Sequence, residues 1–152
     1  MKIERFKFGQ VGGKDVDGFT LRNGRGLSAS LISYGARLTR FEMPGRDGRL
    51  ADIVLGFDDI ESYIATNTYF GATCGRYGNR IRQGRFDLDG KTVQVDRNEG
   101  PNHLHGGRNG FDRKLWESSV DESANAVTFS IVSPAGEEGF PGTVWLSATY
   151  RL

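Results

Sequence analysis

The chain has 152 residues, 37% hydrophobic and 26% charged, with a formal net charge of +1. That length supports one domain with a real core, or part of a larger one. The charge balance supplies no field to draw nucleic acid or anionic lipid, and no apolar run approaches the about 18 residues of a membrane span. Neither is expected as a partner.

Residues 1–8 alternate charged and apolar side chains and show no apolar stretch of a secretory leader. Cys74 is the lone cysteine, so no internal disulfide is available and a reducing, cytoplasmic setting is expected. The 22 glycines are about double the usual ~7% share and follow no fixed period. They read as turns between many short strands.

In chain order, the alternation predicts strands over residues 3–8, 19–21, 27–31, 38–41 and 52–55. Pro44-Gly45-Arg46-Asp47-Gly48 is a turn cluster between the last two. Asp58-Asp59-Ile60-Glu61-Ser62-Tyr63 is the one helix candidate, with an acidic cap leading a single short helix. Phe86-Asp87-Leu88, the Asp89-Gly90 pair and residues 91–95 form the clearest hairpin, since Asp-Gly suits a type I′ turn. Residues 116–120 and 127–132 flank a polar segment as a second hairpin, and residues 144–152 are a further strand. No linker or internal boundary interrupts the sequence. The expected fold class is therefore all-β, an antiparallel sandwich or barrel, with residues 1–152 as one unit.

Three clusters carry polar chemistry. Both histidines fall in Asn102-His103-Leu104-His105-Gly106-Gly107. On a strand, residues i and i+2 share a face, so this pair suits either a metal or one wall of a pocket. No second paired ligand spacing accompanies it, and no metal is expected. Gly75-Arg76-Tyr77-Gly78-Asn79-Arg80-Ile81 suits a bend that projects an amide and a guanidinium fork, the donors and acceptors that polyol recognition requires. A surface bulge with solvated arginines is the competing reading. The short basic run Arg76, Arg80, Arg82 and Arg85 lacks any nucleic-acid-binding motif around it. Glu137-Glu138 lies in a loop rich in Gly and Pro, where the carboxylates are expected to bind backbone or an arginine.

Tyr34-Gly35-Ala36, Asp52-Ile53-Val54-Leu55-Gly56-Phe57, the two motifs above, Gly110-Phe111-Asp112 and the loop from Ser133 to Gly142 occur in this order along the whole chain. In that order they resemble the aldose 1-epimerase (galactose mutarotase) family. Gly78 departs from the pattern, where family members usually carry alanine. The resemblance implies an antiparallel β-sandwich of the galactose-mutarotase type, here its amino-terminal portion. It also implies interconversion of α and β anomers of free aldohexoses such as galactose and glucose, by acid–base ring opening without a cofactor. Carried onto this sequence, it makes Asn79 and Arg80 substrate-binding positions and His105 both substrate-binding and catalytic. It assigns no role to His103. It places the acid histidine and the base glutamate beyond Leu152, so a complementary carboxy-terminal half is expected as a partner. A non-catalytic carbohydrate-binding module on the same sandwich, or an inactive fragment, is the alternative.

Overall fold

The computed structural model describes residues 2–152, and its first hairpin is closed by Gly12 and Gly13 at φ of 57° and 77°. Left-handed residues in a two-residue loop match the twist of the strands they join. These are β1 (Glu4–Val11) and β2 (Lys14–Arg22). The sequence pattern predicts only 19–21 for the second strand. The polar residues Lys14, Asp15 and Asp17 are held in it by pairing with Val11, Gln10 and Lys7, which local alternation does not reveal.

β3 (Ser28–Ile32), β4 (Arg37–Pro44) and β5 (Leu50–Asp52) complete a five-stranded antiparallel sheet in sequential order. The last strand lies upstream of the expected 52–55. Asp52 Oδ1 accepts from the backbone N–H groups of Phe41 at 3.0 Å and Val54 at 3.2 Å, so the carboxylate turns the chain out of the ladder. Leu55 beyond that turn is 70% exposed. α1 (Ile60–Ala65) follows inside the expected segment and runs two residues beyond it. Asp59 is its cap, accepting from Ser62 N at 2.7 Å. Ile60 and Tyr63 of this helix pack on one face of the sheet with Val16, Ile32 and Tyr34.

Two short ladders come next: β6 (Arg80–Ile81) with β9 (His103–Leu104), and the hairpin β7 (Arg85–Leu88) with β8 (Lys91–Gln94). Asp89 at φ 50° and Gly90 at 74° make the expected turn of that hairpin. β10 (Glu117–Asp121), β11 (Ala126–Ser133) and β12 (Val144–Arg151) form a three-stranded antiparallel sheet. Their positions agree with the sequence pattern to within a residue or so.

The core lies between the two larger sheets. Phe19, Leu21 and Leu31 from one meet Val127 and Phe129 from the other, with Phe111 and Trp116 in the same cluster. The Phe19 and Phe129 rings meet edge-on at 5.9 Å. Burying each such side chain contributes about 1.5–3 kcal/mol, so this layer fixes the sheets to each other. It also carries the chain from Phe111 to Trp116 past the turn at residues 33–37. There Trp116 N donates to Ser33 O at 2.9 Å, and Gly35 N donates to Lys114 O at 2.8 Å.

Candidate functional site

The site is organised around the backbone at Gly75. Gly106, at φ 96°, approaches so closely that an added Cβ would lie 1.5 Å from the Gly75 carbonyl oxygen. Only glycine combines that φ with that approach. Phe111 N donates to the same carbonyl at 3.2 Å. Gly107 packs against Glu138, whose carboxylate accepts from Arg108 N at 2.9 Å and Asn109 N at 3.0 Å. Glu137 accepts from Lys114 Nζ and from Ser133 Oγ. Both glutamates thus brace the loops around the site. Glu138 binds backbone as expected, whereas the cation paired with Glu137 is a lysine and not an arginine.

Arg76 is engaged by the 133–142 loop. Its guanidinium donates to Ser133 Oγ (2.8 Å) and to the carbonyls of Ser133 (2.9 Å), Pro134 (2.6 Å), Pro141 (3.0 Å) and Gly142 (2.8 Å). It holds the 133–142 loop against the 75–81 segment. Two arginines of the basic run are therefore engaged within the protein, Arg76 here and Arg80 below.

The two histidines part company and do not share a strand face. His103 is fully buried in β9, with its Nδ1–H donating to Asp96 O at 2.7 Å and its ring edge-on to Phe140 at 5.2 Å. His105 lies past the end of the strand at φ 49°, and this turn swings its ring to the other side, 4.4 Å from the Tyr69 ring. The physical reason is that the i, i+2 rule holds only while both residues stay extended. Among the described residues, no three His, Cys, Asp or Glu side chains gather as metal ligands.

Asn79, Arg80 and His105 do come together. Asn79 N donates to His105 Nδ1 at 3.0 Å, and His105 N donates back to Asn79 O at 3.1 Å. A ring nitrogen that accepts an N–H carries no proton, so the neutral imidazole bears its hydrogen on Nε2. Arg80 makes a bidentate pair with Glu99, Nε at 2.6 Å and Nη2 at 2.5 Å, and its Nη1 donates to Asn79 Oδ1 at 3.3 Å. Three of its five N–H donors are used, which leaves two for a ligand. The bond from Arg80 holds the Glu99 carboxyl below its ordinary range.

An open polar cleft of about 430 Å³ adjoins this trio through Glu99, the partner of Arg80, and Tyr69, the neighbour of His105; Asn67, Asn98, Leu104 and Arg113 also line it, and the trio itself does not. Asn98 shapes it: its amide accepts from Leu104 N at 2.7 Å and donates to Leu104 O at 2.9 Å, in the manner of a neighbouring strand. Asp112, almost fully buried, sits nearby. Burial pushes its carboxyl above the ordinary value, with Arg37 and Arg113 opposing. Burial likewise raises the half-buried Cys74 thiol. Tyr69, Asn98, Glu99 and Arg37 escape a reading of the sequence alone. Glu99 stands 19 residues from Arg80 with no spacing to announce the pair, and Tyr69 and Asn98 sit in loops without periodicity.

The family profile described as Aldose 1-epimerase matches residues 17–152. Galactose mutarotase of Rattus norvegicus is 44% identical over 154 residues, covering 100% of this chain and 44% of the relative. Aldose 1-epimerase of Escherichia coli K12 is 38% identical over 133 residues, covering 88% of this chain and 38% of the relative. The crystal structure of galactose 1-epimerase from Lactobacillus acidophilus superposes with a TM-score of 0.84 at 30% identity, over 99% of this chain and 44% of that one. This chain thus spans under half the length of these relatives. On the profile match and the whole-chain identity, the protein belongs to the aldose 1-epimerase family.

Proposed function

We propose that this chain supplies the sugar-gripping wall of an aldose 1-epimerase that interconverts the α and β anomers of free aldohexoses such as galactose and glucose. The observation that carries the reading is the convergence of Asn79, Arg80 and His105 beside one polar cleft. Arg80 has two donors to spare, and the Asn79 amide nitrogen and His105 Nε2–H add further donors suited to sugar oxygens. The Tyr69 ring offers an apolar face for a pyranose.

Anomer exchange requires a base to take the C1 hydroxyl proton and an acid to protonate the ring oxygen, followed by reclosure on either face. His105, as an Nε2 donor, bonds a sugar oxygen and stabilises the charge that develops as the ring opens. The acid and base come from a complementary carboxy-terminal portion of a single sandwich domain, either continuous with this chain or a separate polypeptide. The apolar groove of about 550 Å³ that runs over Ile131, Val132, Trp145 and Leu146 is the surface such a portion would cover. No described helix is long and apolar enough to cross a membrane, and the unpaired Cys74 suits a reducing cytoplasm.

Calorimetric titration with galactose, beside polarimetry of freshly dissolved sugar, tests the reading. Arg80→Ala and His105→Ala should each weaken binding about ten- to hundredfold, the equivalent of one charge-assisted or buried hydrogen bond. Binding indifferent to both changes would overturn it. Saturable binding that never yields anomer exchange, even with the carboxy-terminal part of a relative added, would favour the binding-module alternative.

A further inference from the structure

Among the described residues Arg37 is the largest fully buried side chain, and its head group reaches three chain segments at once. Nη1 donates to Phe70 O at 3.0 Å, Nη2 to Asp112 O at 2.9 Å and Nε to Tyr34 O at 3.4 Å. The guanidinium also lies 4.7 Å from the centre of the Tyr63 ring. It bonds three backbone carbonyls and, among the described residues, is paired with no carboxylate within ion-pair distance, an expensive way to fill a core if filling were its whole purpose.

The segments it joins are the two rims of the sugar cleft. Phe70 follows Tyr69, whose ring lies 4.4 Å from the His105 ring at a tilt of 50°. Asp112 ends the loop that His105 begins, and both close on Gly110. An added Cβ at Gly110 would lie 2.8 Å from both His105 O and Asp112 Oδ1. The same rims are tied again at the surface, where Arg113 Nη2 donates to Asn67 Oδ1 at 2.5 Å.

We propose that Arg37 is a positioning residue for the sugar site, fixing the Tyr69 rim against the His105 rim so that the two rings meet in one orientation. The planar fork suits the task because its donors point in fixed directions to carbonyls on different segments. The importance of that orientation rests on His105 being a sugar contact, whereas the placement itself can be read without sugar.

The experiment is NMR of the full chain labelled at histidine, comparing wild type with Arg37→Met, Arg37→Lys and Tyr69→Leu. Tyr69→Leu defines the ring-current shift that Tyr69 imposes on the His105 ring protons. His103, buried against Phe140, reports whether each variant is folded. With His103 unmoved, Arg37→Met should carry the His105 resonances most of the way to the Tyr69→Leu position, and Arg37→Lys only part of the way. His105 resonances that stay at wild-type positions in a folded Arg37→Met chain would overturn the proposal. Should either variant lose the His103 signature, the wild-type chain decides the matter: slowly exchanging Arg37 Nη protons with cross-peaks to Phe70 and Asp112 support it. Rapidly rotating Nη groups sink it. A galactose titration of the same samples reports separately on the sugar contact, so the two ideas fail independently.

Discussion

Arg76→Met removes five donated hydrogen bonds while keeping the aliphatic stem, and the acceptors left behind set the cost. The carbonyls of Pro134, Pro141 and Gly142 belong to exposed residues, and water can replace the guanidinium there at little expense. Ser133 is fully buried, so its carbonyl, bonded at 2.9 Å, and its Oγ, bonded at 2.8 Å, lose partners that water cannot supply. An unsatisfied buried group costs about 1–3 kcal/mol, and bonds to charged donors lie at the upper end. Because Oγ retains its bond to Glu137, we expect a loss of about 3 kcal/mol. For a chain of this size that lowers Tm by about 6–12 °C. Urea unfolding followed by tryptophan emission measures it well, because Trp116 is 2% exposed in the fold and Trp145 is already 75% exposed. The red shift therefore reports on Trp116 and the core. Arg76→Lys should recover less than half of the loss, since one ammonium cannot serve acceptors on both sides of the loop. A loss below about 1 kcal/mol for Arg76→Met would refute the claim that this arginine holds the 133–142 loop.

Two further outcomes follow from the site. Gly106→Ala forces a Cβ to within 1.5 Å of the Gly75 carbonyl at a φ of 96°, so the loop must shift and His105 Nδ1 must lose the Asn79 N–H. Nitrogen chemical shifts of His105 should move from the Nε2–H tautomer toward a mixture, and unchanged shifts would contradict the tether. Burial holds the Asp112 pKa above its unfolded value, so the fold binds the proton more tightly than the unfolded chain does. The stability this group contributes therefore falls as pH rises from the ordinary carboxyl value through the raised one. Asp112→Asn removes that dependence. Its urea midpoint relative to wild type should climb as pH rises above the ordinary carboxyl value of about 4, and a difference flat with pH would show that Arg37 and Arg113 compensate the charge fully.

Much of the strand content was legible along the chain because it rests on local chemistry. The Asp89-Gly90 turn selects its hairpin by φ preference alone, and alternation in 127–132 and 144–152 survives as the inward rows of β11 and β12. Where a partner strand supplies the reason, local reading fell short. The polar first half of β2 is a strand only because β1 lies beside it, and β5 ends where the Asp52 carboxylate captures two backbone donors. The polar motifs that hold Asn79, Arg80 and His105 were legible by residue type, and the family resemblance singled out these three within them. That His103 faces the core while His105 faces Tyr69 depends on one positive φ at His105, which an H-x-H spacing does not encode. The sequence by itself determined the strand-rich class and the polar residues from which a sugar site could be made. The tertiary structure alone decided that Glu99 pairs with Arg80, that Glu138 fastens the His105 loop and that Arg37 lies buried between two rims. Those contacts join residues separated by 19 or more positions, and only the packing of the sheets brings such distant groups within hydrogen-bonding distance.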